Sequence, residues 1–266
     1  MIRLARAGLL ALLLSALAGC AGPVIDRSLV AESQRSRVKF LILHYTVTDV
    51  PQSISVLTGP KASSHYLLTN EARPVVYGLV DESRQASHAG NSQWKTYTDI
   101  NASSVGIEIV NPGWTDGPGG RTWYPFPQSQ IATLIALVRQ IVKRHGIAPE
   151  NVLGHSDIAP QRKQDPGALF PWAQLASAGL VAWPDAALAA NARLRFDQQL
   201  PDVAWFQKQL ATVGYAVPQT GTLDAATRTV ISAFQMKYRP AAIDGTPDAE
   251  TAALLEALTN PGPKRL

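Results

Sequence analysis

RVKFLILHYT, residues 37–46, is the stretch that decides how this chain folds. Val38, Phe40, Leu41, Ile42 and Leu43 form a short, nearly continuous apolar run, which reads as a β-strand covered on both faces. Further strands are expected at His65–Thr69, Pro74–Val80, Val105–Val110 and Val152–Gly154. Between the last two, Ile131, Leu134, Ile135, Val138, Ile141 and Val142 recur at helical spacing, and Gly146 stands where such a helix ends. Strands alternating with helices predict an α/β domain, a mixed β-sheet flanked by helices, over residues 37–183.

Beyond it, residues 184–198 are Ala-rich and read as a partly helical linker. Residues 199–260 read as a small three-helix domain. Val203, Phe206, Leu210 and Val213 share one face of its first helix, and then an internal echo follows. Gly221-Thr-Leu-Asp224-Ala-Ala-Thr227 recurs 24 residues later as Gly245-Thr-Pro-Asp248-Ala-Glu-Thr251. In both copies Asp is placed to cap a helix by accepting a backbone N–H. Val230, Phe234, Leu254, Leu255 and Leu258 complete the expected core. A core this small is marginal alone, so docking on the larger domain is expected.

The chain has 266 residues, of which 46% are apolar and 17% charged, which excludes a disordered or collagen-like polymer. Its formal charge of +4 falls to +2 once Arg3 and Arg6 are set aside, and Lys and Arg are not clustered, so no nucleic-acid partner is expected. Arg3 and Arg6 precede an uncharged Leu/Ala-rich stretch from Ala7 to Gly19, the layout of a secretory signal over residues 1–19 and too short for a membrane span. It ends in Leu17-Ala18-Gly19-Cys20, which resembles the bacterial lipobox. Cleavage before Cys20 and lipidation of its thiol would tie the protein to a membrane by buried acyl chains, with residues 20–36 as the tether. Ala21 and Gly22 follow with no Asp, which points to the outer membrane, facing the periplasm. Cys20 is also the only cysteine, so no internal disulfide exists.

His44 ends the first strand and His155 follows the last, where open α/β sheets place ligands. Asp165 lies on the loop after His155. Two imidazoles and one carboxylate with an open fourth position suit a single catalytic Zn²⁺. On spacing alone, satisfied structural histidines are the plainer reading, because the three residues are scattered along the chain.

The block GHSDIAPQRKQDPGALFPW (154–172), with LILHYT, SSHYLL, HAGNSQW and GIEIVNPGW in the same order upstream, resembles the zinc-dependent N-acetylmuramoyl-L-alanine amidases related to peptidoglycan recognition proteins, and most of all their lipid-anchored type. The likeness runs over residues 36–182. It implies His44, His155 and Asp165 as zinc ligands, Glu108 as the group that orients and deprotonates the metal-bound water, and Lys163 as the cation beside the oxyanion. The reaction it implies is hydrolysis of the amide between N-acetylmuramic acid, or its anhydro form, and the L-alanine of the stem peptide. Residues 200–251 resemble a peptidoglycan-binding domain, so peptidoglycan and muropeptides are the expected partners.

From the residues alone, Glu108 also fits an outward-facing strand position in the alternation Val105, Ile107, Ile109. Arg162 has no expected role beyond structure. His65 is expected to line the substrate groove or to hydrogen-bond, His88 to anchor a loop, and His145 to close a helix. Residues 112–127, PGWTDGPGGRTWYPFP, are too rich in Gly and Pro for a helix or a central strand. They are expected to form a long loop that offers Trp114, Trp123 and Tyr124 to a sugar or stem peptide, or that pins itself to the core by them. Two other functions are consistent with parts of this pattern. One is a non-catalytic peptidoglycan-recognition lipoprotein. The other is a glycan-cleaving hydrolase, for which Glu108 lacks an acidic mate.

Overall fold

A computed structural model describes residues 22–260. The chain divides into two units, residues 1–35 and 36–266, and of the first the described residues 22–35 form neither helix nor strand. Cys20 and the signal stretch lie outside the described residues. Among the described residues no helix is long and apolar enough to cross a membrane.

The second unit is built on β1 (Phe40–Tyr45), β2 (Tyr66–Leu68), β3 (Val76–Gly78), β6 (Ser104–Ile109) and β9 (Val152–Gly154). They pair in the order β3-β2-β6-β1-β9, with β2–β3 antiparallel and the rest parallel, which makes the sheet mixed. β4 (Gln93–Trp94) and β5 (Tyr97–Thr98) form a separate small ladder. Because side chains alternate across a strand, β1 and β6 each present two faces. Leu41, Leu43, Val105, Ile107 and Ile109 point one way, into a core shared with Ile131, Leu134, Val138 and Ile141 of helix α2 (Gln128–His145). Burying each such aliphatic side chain contributes about 1.5–3 kcal/mol. The short helix α1 (Val50–Leu57), capped by Asp49, follows β1.

On the other face, Phe40 and Ile42 share a buried cluster with Phe206, Leu210, Phe234 and Leu255 of the C-terminal region. That region holds α5 (Ala186–Gln198), α6 (Val203–Val213), α7 (Ala225–Tyr238) and α8 (Ala249–Thr259), preceded by the short helices α3 (His155–Ile158) and α4 (Trp172–Ser177). The three helices expected after residue 199 form. The segment read as a linker adds a fourth, capped by Asp185 through the Ala187 and Leu188 amides, and its Ala192 and Phe196 are buried. The sheet is thus sandwiched between α2 and the helical unit.

The sequence echo has a physical origin. Gln207 accepts the Gly221 N–H and donates to Thr227 Oγ1 at 2.8 Å; Gln235 accepts the Gly245 N–H and donates to Thr251 Oγ1 at 3.2 Å. Asp224 and Asp248 cap the helices that follow, through the Thr227 and Thr251 amides. Each copy is therefore a turn wrapped around a fully buried glutamine. The Gly/Pro-rich segment is more regular than expected: β7 (Trp114–Gly117) and β8 (Gly120–Trp123) pair as a hairpin, with Trp114 opposite Trp123. Both strands are short and paired only to each other, which a sequence with four Gly and four Pro tolerates.

Candidate metal centre

His44 and Glu108 are register partners on the parallel strands β1 and β6, so their side chains share a face. It is the same face that buries Phe40 and Ile42; at the C-terminal ends of the strands it opens into a cavity of about 670 Å³ lined by His44, Glu108, His155, Lys163 and Asp165. The alternation noted in the sequence is therefore real, and the face opposite the aliphatic residues is the floor of a pocket.

His155 is the first residue of α3, immediately after β9, and Asp165 enters from the loop beyond. That loop comes close because residue 154 is Gly: a Cβ there would lie 2.7 Å from Pro166 Cδ. The Ser156 N–H donates to the Asp165 carbonyl at 2.8 Å, which ties the loop to the same turn. Three atoms that could ligate a metal then converge. His44 Nδ1 and His155 Nδ1 are 2.9 Å apart, and each is 3.0 Å from Asp165 Oδ2. All three residues are buried.

The partners on the far side of each ring assign the tautomers. His155 Nε2 faces the Ala89 carbonyl at 3.0 Å, an acceptor only, so Nε2 carries the proton. His44 Nε2 is 3.0 Å from His88 Nδ1, and His88 Nε2 is 3.1 Å from Ser104 Oγ, a chain in which each Nε2–H donates onward. Both Nδ1 lone pairs are thereby turned toward the Asp165 carboxylate. Three acceptors this close repel one another unless a cation sits among them, and two neutral imidazoles with one carboxylate are a donor set that suits Zn²⁺. Tetrahedral zinc holds its ligands roughly 3.3 Å apart, so the set needs to open only slightly.

Electrostatics agree. Burial, and then the His155 charge, lowers His44 to about 4. Burial drives His88 well below its usual value. Burial pushes the Asp165 carboxyl up, but His155 and His44 outweigh it and hold it below the ordinary carboxylate range. His44, His155 and Asp165 thus meet in a centre closed to solvent. Beside it, Glu108 Oε2 is sealed from solvent with no hydrogen-bond partner. Burial, reinforced by the Asp165 charge and opposed by Lys163, pushes its carboxyl well above the usual range. Such a carboxylate is a proton acceptor of raised basicity facing a polar cavity.

The remaining candidates divide. Trp114 lines the cavity, with the Arg121 guanidinium stacked 3.6 Å from its ring centroid. Trp123 does not line it; its ring lies where a Cβ on Gly167 would come within 2.8 Å, so it pins the hairpin to the loop after Asp165. His65 is fully buried and does not line a groove; its Nδ1 accepts the Gly106 N–H at 3.0 Å and its Nε2 faces the Arg84 carbonyl at 3.1 Å, joining β6 to a loop. Those two bonds hold the ring inside, as the hydrogen-bonding alternative expected. His145 ends α2 with its Nε2 2.8 Å from Glu82 Oε2. His88, expected only to anchor a loop, supports His44 directly. Arg162 binds the carbonyls of Ala89 and Asn91, holding the segment that His155 leans on. Gly106 was the available signal for His88: a Cβ there would come within 2.6 Å of the imidazole ring.

The sequence pattern of the N-acetylmuramoyl-L-alanine amidase family matches residues 34–168, and that of a peptidoglycan binding domain family matches residues 199–255. The N-acetylmuramoyl-L-alanine amidase AmiD of Escherichia coli is 43% identical over 258 residues, covering 91% of this chain and 93% of that protein. A solved structure of AmiD, a complex with the substrate anhydro-N-acetylmuramic acid-L-Ala-D-gamma-Glu-L-Lys, is similar with a TM-score of 0.81 at 41% identity over 90% of this chain and 95% of that one. AmpDH3 of Pseudomonas aeruginosa, solved with anhydromuramic pentapeptide, is similar with a TM-score of 0.83 at 38% identity, covering 90% of this chain and 99% of that one. With its catalytic-site fold and its helical unit both matched in order, the chain belongs to the N-acetylmuramoyl-L-alanine amidase family.

Proposed function

We infer that this protein is a zinc-dependent N-acetylmuramoyl-L-alanine amidase that cleaves the amide between the lactyl carboxyl of N-acetylmuramic acid, or its anhydro form, and the L-alanine that begins the stem peptide. The observation that carries the reading is the convergence of His44, His155 and Asp165 at the floor of the cavity, with the unpartnered Glu108 carboxylate beside them. The relatives AmiD and AmpDH3, solved with anhydromuramyl peptides, support the substrate class.

Zinc bound by His44, His155 and Asp165 would supply an acidified water and a Lewis acid for the scissile carbonyl. Glu108, its basicity raised by burial, takes the proton from the attacking water and returns it to the departing alanine amine, so one residue serves as base and then acid. Lys163, on the cavity wall, offers a cation to the oxygen that gains charge. Trp114 gives an apolar wall to the sugar or the peptide. The helical unit over residues 199–255 holds wall polymer near the cavity and raises its local concentration. Lipidation at Cys20 would place the protein on the periplasmic face of the outer membrane; the lipobox-like sequence supports this.

Treating the purified chain with a chelator and restoring zinc tests the metal reading. Hydrolysis is expected to vanish and return in proportion to bound zinc, and full turnover by metal-free protein would overturn it.

A further inference from the structure

The helical unit does more than cover the sheet: one of its lysines reaches the turn that carries His155. Lys237 of α7 is buried, and its Nζ lies 2.7 Å from Asp157 Oδ2, 3.3 Å from the Val152 carbonyl and 4.4 Å from the Trp172 ring centroid. Tyr215, after α6, donates its hydroxyl to Asp157 Oδ1 at 2.6 Å. Asp157, itself almost fully buried, accepts the Gly154 N–H at 2.8 Å. Both carboxylate oxygens of Asp157 are thus held from the helical unit, while one of them fixes the backbone turn 154–157.

That turn controls two of the three ligands. It aims His155, its second residue, and through the Ser156 N–H it holds the backbone of Asp165. We propose that Lys237 and Tyr215 are positioning residues for the metal centre, acting through Asp157, so that the C-terminal helical unit is a structural part of the zinc site as well as a wall-binding module. The proposal rests on the zinc reading above. Removing the Lys237 charge leaves the Asp157 carboxylate buried without its cation, and a buried ion stripped of its partner is driven to move or to admit water. Either response releases the Gly154 amide and lets His155 and Asp165 drift from their common point.

The test uses the full chain, stripped of metal, with zinc affinity read by competition against a chromophoric chelator and the melting temperature of the metal-free protein read in parallel. Lys237→Met is expected to weaken zinc binding about ten-fold, the low end of what outer-layer partners of metal ligands contribute. The double variant Asp157→Asn/Lys237→Met, which removes both charges together, is expected to recover most of that loss. Gln207→Leu disrupts a buried network of the same helical unit that does not touch Asp157; it is expected to lower the melting temperature and leave zinc affinity unchanged. Wild-type zinc affinity in folded Lys237→Met, or equal weakening in Gln207→Leu, would overturn the proposal. If Lys237→Met does not fold, Tyr215→Phe, which removes a single hydroxyl, decides it by the same two results. A wild-type chain that binds no zinc would instead refute the metal reading on which the proposal stands.

Discussion

Glu108→Gln separates the catalytic and structural consequences of one carboxylate. The substitution keeps the shape of the side chain and removes its charge and its basicity. As the proton shuttle, Glu108 should contribute about 10²–10⁴-fold to turnover, so the variant should lose that factor while binding zinc as the wild type does. Its effect on stability should run the other way. Oε2 is sealed and unpartnered, and leaving a buried polar group unsatisfied costs about 1–3 kcal/mol, more when it is charged. Metal-free Glu108→Gln should therefore melt higher than the metal-free wild type at alkaline pH, by roughly 2–4 °C for each kcal/mol recovered in a chain of this size. The pH dependence has a definite sign. Burial and the Asp165 charge raise the folded-state pKa above the ordinary 4.5. Below 4.5 both folded and unfolded chains hold the proton and ionisation costs nothing; above it the unfolded chain ionises first, and the cost grows until pH reaches the raised folded value. The two melting curves should converge near about pH 4 and separate as pH rises above it. Scanning fluorimetry in the presence of chelator, beside turnover assays at saturating zinc, reads both effects. A variant with wild-type turnover, or one whose metal-free melting point lies at or below the wild type at every pH, would refute the assignment of Glu108 as a buried, unpartnered base.

Gly106→Ala places a methyl group 2.6 Å from the His88 ring, so it should destabilise the protein by about 1–3 kcal/mol and weaken zinc binding through the displaced His44 support, measured by thermal melts and metal titration. Asp165→Ala removes the anionic ligand, and metal analysis of the purified variant should find zinc far below one per chain. Trp114→Ala should raise KM for muropeptides with little change in melting temperature, because the ring lines the cavity, whereas Trp123→Ala should lower the melting temperature by freeing the hairpin from Gly167.

The parts of this molecule that local pattern controls were legible in the sequence. The run from Val38 to Leu43 became the central strand, the 3.6-residue spacing from Ile131 to Val142 became the long helix, and Asp224 and Asp248 cap the helices that the echo announced. His44, His155 and Asp165 were suspected from their places after strands, but scattered ligands carry no spacing rule, and only the resemblance singled them out. What the sequence concealed depends on contacts between distant segments. His88 sits in a stretch with little regular structure, and its role is visible only once β6 brings Gly106 beneath it. His65 reads as a groove-lining or a hydrogen-bonding residue, and only the contacts of its two ring nitrogens with the Gly106 N–H and the Arg84 carbonyl decide for the second. The segment 184–198 has a weak apolar pattern, so its helix comes from the Asp185 cap and from packing of Ala192 and Phe196. Trp114 and Trp123 are alike in composition and share one face of the hairpin; they differ in which strand lies beside the cavity.

The most direct test of the account is the mass of what the purified chain releases from muropeptides or intact wall, with zinc and with chelator. With zinc, the products should be free stem peptides that begin with the unsubstituted amine of L-alanine, together with N-acetylmuramic or anhydromuramic sugars bearing a free lactyl carboxylate, and chelator should abolish both. Products in which sugar and peptide remain joined, or the same release from metal-free protein, would contradict it.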